Sequence, residues 1–343
     1  MKLFKLVSVL IVAAMVVSAC ASATTAAPTT APVTNTSAPA PTTPPQATAT
    51  SAPTMAPATA TVEPTASPTI TPTMAAPTPV AQVPDGATQQ KSKLLICTDF
   101  PYPPQEFFDD NGAPQGMDVE IGFEIGKRLG LQVEYVNSIF DTIIAAVTAG
   151  KCDIIISAMN ITPDRNKQVS MIPYFNAGQA FVVQKGNPSN IKTQDDLCGQ
   201  SVAAESGTTE AFYLSGTDTY TGKGLTQECT KAGKKPITVV VTQKDTDALQ
   251  QLQTGKVVAY FADSPVAAYY TVQHPDQFEL VPVVLNAAEE GINLPCGQAD
   301  CTKAPLTPLG AAIKTALQSM MTDGTYLKIL QKWNLQDGAV KLQ

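Results

Sequence analysis

The chain is poor in the residues that most often do chemistry. Its 343 residues include one histidine, His274, which sits before Pro275 in a turn-like HPDQ, and one tryptophan. With a single histidine and no CxxC pair, the ligand spacing of a zinc site is missing. No metal and no cofactor are expected, and no well-placed imidazole stands ready as a general base. Charge is also sparse, at 15% of residues, with a net of −7. From residue 91 onward 27 acids face 20 bases. That mild acidity argues against a nucleic-acid partner and favours solubility. Beyond the first twenty residues no apolar run approaches the roughly 18 residues of a membrane span. Residues 21–90 lack aromatics altogether.

The N-terminus carries a targeting pattern. Lys2 and Lys5 form a basic start, and residues 6–17 are apolar but short for a span. The end of this run, Val17-Ser18-Ala19-Cys20, resembles the lipobox of bacterial lipoproteins. The resemblance implies cleavage of a signal peptide, 1–19, and a lipid on Cys20. Residues 20–90 then form a low-complexity Ala/Thr/Pro/Ser stretch that holds half of the chain's 28 prolines. Such a segment buries too little apolar surface to offset its ordering entropy, so a disordered, polyproline-biased tether is expected.

About 250 residues remain, enough for two modest α/β units. An apolar strand at 94–97 runs into the proline-rich loop Pro101-Tyr102-Pro103-Pro104, and Asn111-Gly112 marks a turn. Asp118 is expected to cap a helix whose Ile121, Ile125 and Leu129 recur every four residues, with Gly130 ending it. Strands at 131–136 and 153–157 flank a second helix at 141–149. This β-α-β-α-β order predicts a parallel sheet with right-handed crossovers. After a strand at 179–184 and the break Gly186-Asn187-Pro188, a second α/β set follows. Its strands are at 201–204, 237–241, 257–262 and 278–285, and a helical tail spans 308–333. With Cys20 set aside, six cysteines remain, an even number that suggests disulfides in an exported chain. Six allow fifteen connectivities. Cys296–Cys301 would close a tight loop, Cys198–Cys229 flank one strand–helix unit, and Cys97–Cys152 would pair only if their strands are neighbours.

Polar residues recur where strands end and helices begin, which is where open α/β sheets bind ligands. Asp99 follows the first strand. Ala158, Asn160 and Arg165 follow the third, Thr208 and Thr209 open a helix, and Asp263 ends the last strand of the second set. A planar guanidinium suits a carboxylate, and an acid opposite suits an ammonium. Together they describe a receptor for an amino acid zwitterion. Each residue alone also reads as a cap or a solvated side chain.

From residue 93 to 336 the chain resembles the family 3 extracytoplasmic solute-binding proteins, the polar amino acid receptors of ABC importers. The likeness is carried by Thr98-Asp99-Phe100-Pro101-Tyr102, Gly116-Met117-Asp118, Thr162-Pro163-Asp164-Arg165, Ser206-Gly207-Thr208-Thr209, Asp263-Ser264-Pro265 and Asp323-Gly324-Thr325-Tyr326. The resemblance implies a type II periplasmic-binding-protein fold, two α/β lobes joined by a two-strand hinge. Lobe 1 would cover 91–184 plus 284–343, and lobe 2 would cover 185–283. It implies a carboxylate contact at Arg165, neighbouring contacts at Ala158 and Asn160, second-lobe contacts at Thr208 and Thr209, and an amine contact at Asp263. Asp99, Tyr102 and an aromatic wall at Phe140 complete the set. Departures mark possible selectivity. Asn160 stands where the family usually has Thr or Ser, and Gln105 and Met117 stand where it has phenylalanines. Glu205 replaces a residue that is often neutral and, facing the cleft, would favour a basic or amide side chain. The expectation is a monomeric, non-catalytic receptor, lipid-anchored outside the membrane, that hands an amino acid to an ABC permease. The alternatives are a fold-related dehydratase or peptidoglycan lyase, or a ligand-sensing accessory protein.

Overall fold

The computed structural model describes residues 78–216 and 224–341, so the signal peptide, Cys20 and most of the low-complexity stretch lie outside the described residues. The first half runs β1 (Lys93–Thr98), β2 (Phe107–Phe108), β3 (Pro114–Gln115), α1 (Met117–Leu129), β4 (Gln132–Asn137), α2 (Ile143–Thr148), β5 (Ile154–Ile155), α3 (Pro163–Gln168) and β6 (Ser170–Gln184). The second half runs β7 (Ser201–Glu205), α4 (Thr209–Ser215), α5 (Leu225–Lys231), β8 (Thr238–Thr242), α6 (Asp245–Gln253), β9 (Ala259–Asp263), α7 (Ser264–Gln273), β10 (Phe278–Leu294), α8 (Pro308–Thr322) and α9 (Thr325–Lys332).

Strand order is β4-β1-β5-β10-β6-β9-β7-β8. β1 pairs in parallel with β4 and β5, as the β-α-β-α-β pattern predicts, and β7 pairs in parallel with β8 and β9. Between these two parallel sets run β6 and β10, antiparallel to each other from Ser170↔Leu294 to Gln184↔Phe278. They are far longer than the strands expected at 179–184 and 278–285, because both cross from one α/β lobe to the other. Each lobe keeps its own core. Ile96, Ile121, Ile125, Tyr174 and Leu317 are fully buried in the first, and Phe181 stacks on Phe261 at 4.0 Å in the second.

Local signals explain most ends. Gly130 takes the left-handed conformation that closes α1, and the helical tail breaks at Gly324, also left-handed. The expected cap of α1 is corrected. Gly116 is the N-cap, and Asp118 lies inside the first turn with its carboxylate turned into the protein. The Ala158 N–H and the Tyr174 hydroxyl donate to Asp118 Oδ2 at 2.8 and 2.7 Å, which holds the carboxylate inward instead of at the helix end. Residues 78–92 lie against the first lobe. Ala81, Val83 and Ala87 pack on its core, and the Gln89 N–H donates to Asp153 Oδ1 at 2.6 Å. Three disulfides form, Cys97–Cys152, Cys198–Cys229 and Cys296–Cys301. The first is possible because β1 and β5 are neighbours, the condition the sequence left open.

Candidate functional site

The ends of β1, β5, β7 and β9 converge between the lobes, and backbone chemistry places each side chain there. The Asp99 N–H donates to Ser157 Oγ at 2.9 Å, and Asp99 Oδ2 accepts the Phe140 N–H at 2.6 Å. Ala158 has φ of +45°, an unusual value for a residue with a Cβ, held by its N–H bond to Asp118. Thr162 caps α3 by accepting the Arg165 N–H at 3.1 Å, with Pro163 in the first turn, so the Thr-Pro-Asp-Arg run aims the guanidinium. Thr208 caps α4 in the same way through the Ala211 N–H.

One small cavity is lined by Asp99, Tyr102, Glu106, Phe140, Ser157, Ala158, Asn160, Glu205, Thr208, Glu210 and Asp263. Seven of the nine ligand-contact residues selected from the sequence are therefore brought together, and Glu205 with them. Arg165 and Thr209 do not line it but buttress it. Arg165 Nη1 donates to the Asn160 carbonyl and Nη2 to the Gly207 carbonyl, both at 2.8 Å, and the guanidinium lies 5.3 Å from the Phe140 ring centroid. Thr209 Oγ1 donates to Asn160 Oδ1 at 2.7 Å, so the residue that departs from the family pattern ties the two lobes together. Gln105 is buried outside the cavity, donating to Glu290 Oε2 on β10 at 2.7 Å. Glu106, Ser157 and Glu210 line the cavity without having been selected. Glu210 was within reach, since it follows Thr208-Thr209 at a helix start. Glu106 and Ser157 pair with each other at 2.7 Å across 51 residues, which no local pattern shows.

The lobes meet tightly around this space. The Tyr102 hydroxyl donates to Asp263 Oδ2 at 2.9 Å, and the Asp263 N–H donates back to that hydroxyl at 3.1 Å. Lys244, just before α6, bonds Asp99 across the cleft. Gly207 has φ of +78°, and a Cβ there would lie 2.7 Å from Asp141 Cα, so only glycine allows this approach.

Electrostatically the cavity is crowded with carboxyls. Burial, joined by the neighbouring acids Asp245 and Asp99, pushes Glu205 up to about 10. Burial also raises Glu106, with Asp118 adding to it, and raises Asp263, with Glu210 adding to it. Asp99 is raised by burial against the opposing pull of Lys244. In a low-dielectric pocket crowded acids hold protons until a cation arrives. Among the described residues no group of three His, Cys, Asp or Glu is arranged to hold a metal ion.

Two α/β lobes, a pair of crossing strands and a cleft at the strand ends define a type II periplasmic binding protein. The chain belongs to the bacterial extracellular solute-binding proteins, family 3, whose sequence model matches residues 94–336. It is 25% identical over 246 residues to the L-cystine-binding protein TcyJ of Escherichia coli strain K12, covering 71% of this chain and 84% of that one. It is 28% identical over 258 residues to the arginine-binding protein ArgT of Corynebacterium glutamicum, covering 75% and 79%. Among solved structures, an ancestral arginine-binding protein bound to arginine superposes with a TM-score of 0.61 at 35% identity, covering 71% of this chain and 98% of that one. An ancestral arginine-binding protein bound to glutamine superposes with a TM-score of 0.59 at 35% identity. An ancestral amino acid-binding protein described as a precursor of cyclohexadienyl dehydratase shares the fold at a TM-score of 0.57 and 31% identity. TcyJ and ArgT are binding proteins, and this chain is a binding protein of the same family rather than an enzyme. Among the described residues no helix is long and apolar enough to cross a membrane.

Proposed function

We propose that this protein captures a polar or basic amino acid between its lobes and delivers it to an ABC importer. One observation carries the reading. Asp99, Tyr102, Phe140, Ala158 and Asn160 from one side and Glu205, Thr208 and Asp263 from the other line a single cavity. Asp263 receives the α-ammonium, and the ligand's positive charge replaces the protons that its crowded carboxyl neighbours hold. Arg165 takes the α-carboxylate by exchanging a carbonyl for it, its fork already aimed along the Phe140 ring. Relatives named for arginine and cystine, and ancestral arginine-binding proteins solved with arginine and with glutamine, support this ligand class. The dehydratase-related neighbour shares the fold, while the relatives TcyJ and ArgT are named as binding proteins, which favours binding over the enzyme alternative.

Lobe 1 is assigned to 91–184 plus 284–343 and lobe 2 to 185–283, closing by hinge motion at the crossing strands. Cys20 carries a lipid that holds this monomeric protein at the outer face of the membrane. Incorporation of labelled palmitate in the intact chain, but not in Cys20→Ser, checks the anchor. A thermal-shift screen of the twenty amino acids and cystine tests the ligand class, since a ligand at 100 times its Kd adds about 2.7 kcal/mol of stability. If none of them raises the melting temperature at millimolar concentration, the assignment fails.

A further inference from the structure

Asp99 is one of five carboxyls that line this cavity, and the chain already supplies it with a cation of its own. Asp99 is 4% exposed and lines the cavity wall. Its Oδ2 is held by the Phe140 N–H at 2.6 Å, and its Oδ1 by the ammonium of Lys244. Lys244 Nζ also donates to the Phe100 carbonyl at 3.1 Å, so the ammonium is fixed at two points on the first lobe. Lys244 itself stands between β8 and α6 in the second lobe, and its side chain is only 26% exposed. Among the described residues no lysine or arginine lines the cavity directly. Lys244 therefore reaches Asp99 across the cleft from the second lobe and neutralises it there. An arginine or lysine ligand reaching the same carboxylate would meet a like charge that is partly shielded from water, where repulsion is strong. A neutral amide brings no such charge, and Glu205 beside Asp99 offers it a polar neighbour.

We propose that Lys244 is a specificity-determining residue. By occupying Asp99 it turns the side-chain end of the cleft from one that takes long basic amino acids into one that takes neutral polar amino acids. This deepens the amino acid reading above and rests on it. Nothing in the local sequence marks Lys244, because its partner lies 145 residues away.

Titration calorimetry of the full chain with L-arginine, L-lysine, L-glutamine and L-cystine, on wild type, Lys244→Gln and Lys244→Arg, tests the proposal. Wild type binds glutamine more tightly than arginine or lysine. In K244Q the affinity for arginine relative to the neutral ligand rises at least tenfold, and K244R keeps the wild-type preference. Equal losses for all ligands in K244Q would make Lys244 only a tie between the lobes and overturn the proposal. So would a wild type that already prefers arginine. A wild type that binds none of the four overturns this inference together with the amino acid reading, a result plainly different from an unchanged ratio. Urea unfolding midpoints confirm that the variants are folded, as the partly exposed position predicts.

Discussion

Asp245 offers a sharp test of how burial controls charge in this protein. Its carboxyl is 2% exposed in the first turn of α6, accepts from the Tyr260 hydroxyl, and accepts from the Tyr270 hydroxyl at 3.3 Å. Burial is the largest influence on it, with the acids Glu210 and Asp99 adding to the effect, and together they push its pKa from 3.8 up to about 7. In the unfolded chain the group ionises near its ordinary value. Between about pH 4 and about pH 7 the folded state therefore keeps a proton that the unfolded state has lost. The sign follows from linkage: the contribution is complete below pH 4 and disappears as pH rises through 7. Three pH units at about 1.36 kcal/mol each amount to about 4 kcal/mol, a large share of a typical total of about 5–15 kcal/mol. Asp118, raised to about 6, and Glu205, raised to about 10, act in the same direction. Urea unfolding from pH 4 to pH 7.5 should show wild type losing stability as pH rises. Asp245→Asn, which keeps the shape and cannot titrate, should lose several kcal/mol less across that range. Parallel stability curves for the two proteins would refute the claim that Asp245 is held protonated by the fold.

Two further outcomes bear on the cleft. Arg165→Ala removes the bonds to the Asn160 and Gly207 carbonyls and leaves the proposed α-carboxylate without a partner. Amino acid affinity should fall by about 2–5 kcal/mol, and calorimetry showing near wild-type affinity would defeat the clamp role. Arg165→Lys should not restore binding, because a point charge cannot replace the fork. Gly207→Ala places a Cβ 2.7 Å from Asp141 Cα at a φ of +78°. Small-angle scattering with saturating ligand should then show a more open molecule than wild type, while a radius of gyration matching closed wild type would contradict the close approach.

Much of this was legible without coordinates. The parallel β-α-β-α-β set follows from apolar periodicity and glycine stops, and the Thr-Pro-Asp-Arg cap that aims Arg165 is contained within four residues. All three disulfide candidates formed, and most of the strand-end residues picked for ligand contact share one cavity. The periodicity and the cap succeed because they depend on neighbours a few residues apart, and the cavity residues because open sheets bind at strand ends. The length of the crossing strands was not legible, since nothing in residues 170–178 or 286–294 announces passage between lobes.

The sequence by itself determined the fold, the family and the place in the sheet where a solute would sit. Tertiary structure alone decided the electrical character of that place. Glu205 reads equally well as a surface acid until the fold buries it beside Asp99 and Asp245, and Asp118 reads as a helix cap until Ala158 and Tyr174 turn it inward. Lys244 is unremarkable in its own segment and meets Asp99 only through the tertiary fold. Ionisation depends on the dielectric and on charges brought near through space, and neither is written in the order of residues along the chain.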